Sequence, residues 1–314
     1  MLRKQYCFGI DLGGTTVKLG IFTAQGELLQ KWEIPTRAEN AGEYILPDIA
    51  ASIREVLQNN DISPEQVLGA GLGVPGAVQH DRIVAPCVNL NGWGGDVAGR
   101  LESLLGFPVR AVNDANAAAL GELWQGSGKG YENVVFVTLG TGVGGGIIVG
   151  GKLLRGGHGA GGEIGHVKVT EDETVACGCG KRGCLEQYAS ATGVVRTAKR
   201  ILSESDRPST LRSCAEITAK AVFDEAKSGD ALANEVLDFF GKKLGYGLSI
   251  ISCVCDPDIF VIGGGVSRAG QIILDRIEES FRKNAFPACE ATRFALASLG
   301  NDAGIYGCAR LMLD

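Results

Sequence analysis

Two stretches decide the fold: Tyr6-Cys7-Phe8-Gly9-Ile10-Asp11-Leu12-Gly13-Gly14-Thr15-Thr16-Val17, continuing to Phe22, and Asn133-Val134-Val135-Phe136-Val137-Thr138-Leu139-Gly140-Thr141-Gly142-Val143, continuing to Val149. In the first, residues 6–10 read as a strand, 11–16 as a turn and 17–22 as a returning strand, because β-forming residues flank a glycine pair. The second has the same plan: 133–137 enters, 138–142 turns and 143–149 leaves. Superposing Ile10-Asp11-Leu12-Gly13 on Val137-Thr138-Leu139-Gly140 aligns strand, leucine and glycine. Self-similarity of this kind marks an internal duplication of a strand-turn-strand unit, so two similar α/β lobes facing a cleft are expected.

The surroundings of each hairpin extend this reading. Residues 43–59 carry apolar positions at helical spacing after an early proline, and 68–74 reads as a buried strand ending at Pro75-Gly76. Arg110-Ala111-Val112 gives a further short strand that stops at Asn113-Asp114. Residues 190–247, rich in Ala, Lys and Glu, predict several helices. Residues 258–262 read as a strand running into Gly263-Gly264-Gly265, and 303–312 as a closing helix. No low-complexity linker separates the lobes, which places the crossings near Asn113 and near residue 300. The expected division is residues 1–112 plus 300–314 as a small α/β lobe and 113–299 as a large one.

Composition narrows the function classes. A chain of 314 residues with 45% hydrophobic and 21% charged residues can bury two cores. A net charge of −6 argues against a polyanionic partner such as nucleic acid or a membrane surface, because such binders usually show a basic patch. The N-terminus meets Asp11 before any long apolar run, so no secretory signal is read and a cytoplasmic protein is expected. Residues 134–151 carry no charge, but seven glycines and two threonines with no helical face exclude a membrane span. Ten cysteines in a chain of this size without an export signal suggest metal or packing rather than disulfides. Cys7, Cys87, Cys214, Cys253, Cys255, Cys289 and Cys308 mostly sit among apolar neighbours and read as core residues.

The chemistry-bearing residues cluster at strand ends. Glycine turns let backbone N–H groups approach phosphate closely, and Gly13-Gly14-Thr15-Thr16 and Gly140-Thr141-Gly142 both qualify. Either alone could be an ordinary hairpin tip; two matched turns point to nucleotide phosphates. Neither is a Walker loop, since the Gly-Lys-Ser/Thr sequence is missing. Asp11, beside the first turn, could hold hydrated Mg²⁺ or simply form the turn. Gly263-Gly264-Gly265 could let backbone lie flat against an adenine or ribose, or could be a tight strand-to-helix turn. Asp114 has two readings, an N-cap for the helical run that follows it and a general base for a hydroxyl attacking the γ-phosphate. Cys177-Gly178-Cys179 and Cys184 provide three thiols on a glycine-rich knuckle, and His166 adds a fourth ligand for tetrahedral, structural Zn²⁺; reduced core thiols or a redox pair are the alternatives.

Taken together, Asp11-Leu12-Gly13-Gly14-Thr15, Val74-Pro75-Gly76, Asn89-Leu90-Asn91-Gly92-Trp93, Asn113-Asp114-Ala115-Asn116, Leu139-Gly140-Thr141-Gly142-Val143-Gly144, Gly162-Glu163-Ile164-Gly165-His166 and Cys177 to Glu186 resemble the ROK family of bacterial sugar kinases and repressors. The resemblance covers essentially the whole chain. It implies an actin-like ATPase (ribonuclease H-like) α/β fold of two lobes with a central cleft. It further implies that Asp114 is the catalytic base and that Gly76, Asn89, Asn113, Glu163, His166 and Glu186 line the sugar site, His166 serving zinc and sugar alike. ATP, Mg²⁺ and structural Zn²⁺ are the expected cofactors. The expected partners are a sugar and ATP, with no nucleic acid or membrane, in a homodimer or higher homo-oligomer. Within the family, phosphorylation of the 6-hydroxyl of glucose is the expected reaction, with N-acetylmannosamine or another hexosamine as the rival substrate. A sugar-sensing regulator is the rival from another class, but no room for a DNA-binding domain is read ahead of Asp11.

Overall fold

The computed structural model describes residues 5–87 and 90–313. It divides into two compact units, residues 1–130, 153–161 and 299–314 in one and residues 131–152 and 162–298 in the other.

In the first unit the chain runs through strands β1 (Tyr6–Leu12), β2 (Thr16–Thr23) and β3 (Leu28–Pro35), a single helical turn α1 (Glu39–Gly42) and helix α2 (Ile45–Asn59). Strand β4 (Val67–Val74) follows, then the short strands β5 (Val78–Gln79), β6 (Ile83–Cys87) and β7 (Trp93–Asp96). Helix α3 (Val97–Leu105), β8 (Val109–Asn113) and α4 (Asp114–Gln125) complete this passage. The main sheet has the order β3-β2-β1-β4-β8, with β1 antiparallel to β2 and parallel to β4, and β4 parallel to β8.

The second unit repeats this plan. Strands β9 (Val134–Leu139), β10 (Val143–Val149) and β11 (Lys152–Leu153) are followed by α5 (Glu186–Ala189), α6 (Ala191–Ser203), α7 (Ala219–Lys227) and α8 (Ala231–Cys255). Strand β12 (Ile259–Gly263), helix α9 (Gln271–Asn284) and β13 (Arg293–Leu296) complete it. Its sheet order is β11-β10-β9-β12-β13, again with an antiparallel hairpin beside two parallel strands. Two sheets of one order are what a duplicated hairpin predicts. Residues 134–151, the uncharged run, form the hairpin and the turn after it, and no described helix is long and apolar enough to cross a membrane.

The chain returns to the first unit with α10 (Ala303–Arg310). Side chains alternate across a strand, and β1 uses this fully. Phe8, Ile10 and Leu12 join the core shared with α2 and α3, while Cys7 packs with Ile305 and Ala309 of α10. Glycines keep that second face low. A Cβ at Gly9 would fall 1.8 Å from the Ile305 carbonyl oxygen, and one at Gly71 on β4 would fall 1.9 Å from that of Cys308. Helix α10 therefore lies directly on the sheet backbone, and Asp11, next in the alternation, faces it.

This packing moves the unit boundary. Residues 113–130 stay with the first unit because α4 packs on α10, so closely that a Cβ at Gly307 would fall 1.6 Å from the Ala117 carbonyl oxygen. The sequence had suggested that the second lobe begins at 113. The cysteine reading also needs correction. Cys7, Cys87, Cys289 and Cys308 are buried, but Cys214 and Cys255 are only half-buried and Cys253 is exposed.

Candidate functional site

In the first unit, Asp11 pairs with Lys18 on β2 and Gly73 on β4. Its carboxylate reaches the start of α10, where a Cβ at Gly304 would lie 2.6 Å from Oδ2. Burial pushes the Asp11 carboxyl up to about 6, the negative charge of Asp114 pushes in the same direction, and Lys18 opposes both. The carboxylates of β1 and of the α4 N-terminus thus share one neighbourhood.

A raised carboxyl costs stability once it must ionise. Below about pH 4 the group is protonated in folded and unfolded chains alike and carries no penalty. Stability is lost as the pH rises toward 6, and above that the penalty, on the order of 2–3 kcal/mol, is full. Asp11→Asn should therefore be more resistant to urea than the native chain at pH 8 and no more resistant at pH 4. Equal gains at both pH values would remove charge as the cause.

The first glycine turn is fixed from the side. The Gly13 N–H donates to the Thr16 carbonyl at 3.0 Å, the Thr36 hydroxyl donates to the Gly13 carbonyl at 2.8 Å, and the Thr36 N–H donates to the Thr15 carbonyl at 2.9 Å. Gly14 and Thr15 are exposed, and nothing lies near the position of a Cβ on Gly14. Thr36 did not stand out in the sequence, because nothing in its spacing ties it to a turn more than twenty residues earlier.

At the end of β8 the two readings of Asp114 separate. Asn113 is the N-cap of α4: its Oδ1 accepts from the N–H groups of Ala115 and Asn116 at 3.0 and 3.2 Å. Asp114 occupies the first helical position, is exposed, and accepts from the Ala115 N–H at 2.8 Å. The capping task therefore falls on its neighbour. Asn113 Nδ2 also donates to the Gly76 carbonyl at 3.3 Å, bringing two of the expected sugar residues together. A third, Asn89, lies outside the described residues.

In the second unit the Gly140-Thr141-Gly142 turn closes with the Gly140 N–H donating to the Gly142 carbonyl at 3.0 Å. The start of α6 grips it. The Ala191 N–H donates to the Gly140 carbonyl at 2.8 Å and the Thr192 hydroxyl to the Thr141 carbonyl at 3.0 Å. Beside the turn opens a cavity of about 350 Å³ whose lining includes Thr141, Gly142, Cys177, Glu186, Gly193 and Arg196. Thr192 and Arg196 were missed in the sequence, where they read only as part of a helix. In the glycine triplet, Gly264 has φ +84° and lies against the backbone of Leu139, so it serves the approach of β12 to β9; Gly265 faces open space.

Glu163 precedes and His166 ends a 3₁₀ turn, Ile164–His166. Nδ1 of His166 lies 3.7 Å from Sγ of Cys177, and its Nε2 lies 3.9 Å from a Glu163 oxygen. Sγ of Cys179 lies 3.7 Å from Sγ of Cys184, and one ligand atom from each of His166, Cys177, Cys179 and Cys184 falls within 4.8 Å of the others. Tetrahedral zinc with Zn–S of about 2.3 Å needs S–S edges of about 3.7–3.8 Å, which the Cys179–Cys184 edge meets, and the donor set has the right chemistry. Burial pushes Cys177 up and Cys184 to about 12, whereas the Lys181 N–H holds the exposed Cys179 below its ordinary value. Three thiols so close together do not ionise as a group without a cation among them.

Comparison with known proteins places the chain in a family. The ROK family model matches residues 7–314. A glucokinase of Halalkalibacterium halodurans is 40% identical over 311 residues, covering 98% of this chain and 94% of that protein. The solved ROK family glucokinase of Streptomyces griseus, in complex with glucose and AMPPNP, is 34% identical with a TM-score of 0.76, covering 98% of each chain. The ROK hexokinase of Thermus thermophilus is 32% identical with a TM-score of 0.83, covering 97% of each chain. The fold is the actin-like ATPase fold, and this chain belongs to the ROK family.

Proposed function

We propose that this chain is an ATP-dependent glucokinase, transferring the γ-phosphoryl group of Mg·ATP to the 6-hydroxyl of glucose. The observation that carries the assignment is the 40% identity to a glucokinase over almost the full length of both chains. A similar solved glucokinase holding glucose and AMPPNP supports it. The sugar substrate and ATP are its small-molecule partners. A cytoplasmic location and a homo-oligomeric assembly belong to the same proposal.

The roles of Asp114 and of the sugar residues are those the family resemblance implies, and the chain's chemistry is compatible with them. Gly14, Thr15 and Thr16 on a turn closed by the Gly13 N–H, and Thr141 and Gly142 on a turn closed by the Gly140 N–H, offer backbone N–H groups and hydroxyls to the phosphates. Gly263, Gly264 and Gly265 give a flat backbone surface for the nucleoside. Asp11 supplies a hard oxygen donor toward hydrated Mg²⁺, which when bound neutralises charge on the triphosphate. The resemblance assigns Gly76, Asn89 and Asn113 of the first unit and Glu163, His166 and Glu186 of the second to the sugar, and charged acceptors and amides suit the task because they pair with several hydroxyls at once. Asp114 accepts the proton of the 6-hydroxyl as the oxygen attacks the γ-phosphorus and ADP leaves. Because Asn113 caps α4, the Asp114 carboxylate is not required for that task. His166, Cys177, Cys179 and Cys184 would hold Zn²⁺ in a structural role, all four positions being filled by protein.

A coupled ADP-release screen of purified protein against glucose, mannose, fructose, allose and the N-acetylhexosamines tests the assignment. Glucose should give the largest kcat/KM. A tenfold preference for N-acetylmannosamine would move the chain to the hexosamine kinases. Glucose binding without ADP release on any sugar would point to a sensor.

A further inference from the structure

We propose that Glu186 is a positioning residue for the second glycine turn, setting nucleotide affinity before any sugar is bound. This rests on the kinase reading and adds to it, since Glu186 otherwise figures only among the sugar residues. Its Oε2 accepts from the Val143 N–H at 3.0 Å, and Val143 is the first residue of β10, where the chain leaves the turn. Gly142 is glycine for this contact: a Cβ there would fall 2.1 Å from Glu186 Oε2, and the residue has no positive φ to explain its identity otherwise. The carboxylate therefore lies directly against the turn.

Three other bonds hold this turn, and each acts on a carbonyl: those of Gly142, Gly140 and Thr141 accept from Gly140, Ala191 and Thr192. Glu186 takes hold of an N–H instead. Its own backbone is fixed, because it opens α5 directly after Leu185, which is fully buried and donates its N–H to the Val167 carbonyl at 2.9 Å. On its other side, Oε1 lies 3.5 Å from Sγ of Cys177. One carboxylate thus sits between the cysteine knuckle and a turn that faces a cavity of about 350 Å³. A turn held from behind is preorganised and loses less freedom when a phosphate docks. The negative charge of Glu186 opposes a phosphate nearby, so its net effect is a contest between ordering and repulsion, which two substitutions separate.

The test is Mg·ADP binding by calorimetry without sugar, on the wild-type chain and on Glu186→Ala, Glu186→Gln, Gly142→Ala and the double variant Gly142→Ala/Glu186→Ala. Zinc content and circular dichroism are measured on each to confirm that the knuckle and fold persist. Glu186→Ala should raise the Kd about tenfold, the scale of one lost charge-assisted hydrogen bond. Glutamine keeps an acceptor oxygen for Val143 and drops the charge, so Glu186→Gln should stay within about threefold of wild type or bind more tightly. Gly142→Ala should weaken binding by displacing the carboxylate, and should add little once residue 186 is alanine. An unchanged Kd in Glu186→Ala, tighter binding in both variants at 186, or full additivity with Gly142→Ala would overturn the proposal. A wild-type chain that binds no Mg·ADP would instead overturn the kinase reading, and this proposal with it.

Discussion

Asp114→Asn should lower kcat by about 10²–10⁴, the usual cost of losing a general base, while glucose affinity and thermal stability change little. The structure makes the two readouts independent. Asn113, not Asp114, caps α4, and its two bonds to Ala115 and Asn116 remain in the variant. An asparagine at 114 keeps an oxygen for the Ala115 N–H. Removing a negative charge from the first turn of a helix costs about 0.3–1 kcal/mol, but it also relieves the repulsion that Asp114 exerts on buried Asp11. These terms oppose each other, so the melting temperature should shift by a few degrees at most. A variant that loses stability but retains near-native kcat would return Asp114 to a purely structural role. A variant that loses kcat with its melting temperature intact supports the base. Steady-state kinetics, calorimetry of glucose binding and a thermal melt on one preparation decide between them.

The sequence showed this region well because its logic is local. The hairpins at 6–22 and 133–149 announce themselves by β-forming residues around glycine tips, and both are present. Their bounds were less legible. Asp11 reads as a turn residue, yet β1 runs to Leu12, with Asp11 paired to Gly73 on β4 and Gly304 leaving room for its carboxylate. That placement depends on residues more than sixty and almost three hundred positions away. That the first compact unit reaches residue 130 was illegible for the same reason: nothing local says that Gly307 will lie against Ala117. The small sheet β5-β6-β7 escaped notice because its strands are two to five residues long and include Pro86, Gly94 and Gly95, which carry no alternation. The knuckle could be read from spacing alone, since its ligands lie within nineteen residues. The bond from Glu186 to Val143 could not, because it spans 43 positions and depends on where two separate elements meet.

Purified without chelator, the chain should carry one Zn²⁺ on His166, Cys177, Cys179 and Cys184, and Cys179→Ser should lose it. Cys179 is the exposed thiol of the set, so a serine there creates no cavity and isolates the metal from packing. A metal held a thousandfold below its working concentration stabilises the folded state by about 4 kcal/mol. In a unit of this size each kcal/mol is worth about 2–4 °C, so the variant and the stripped wild type should each melt about 10 °C lower. The loss should reach the ligand sites in an ordered way. His166 presents Nδ1 to the thiols and Nε2 toward Glu163, so freeing Nδ1 lets the ring turn and removes the orientation of Nε2. Glu186 follows the ligand Cys184 by two residues, so its backbone loses support as the knuckle loosens. Glucose affinity should therefore fall with zinc content across a chelation series and recover when Zn²⁺ is restored to the wild type, but not to Cys179→Ser. Elemental analysis beside glucose calorimetry gives the answer, and full glucose affinity in a chain free of zinc would mean that the knuckle holds no metal the sugar site depends on.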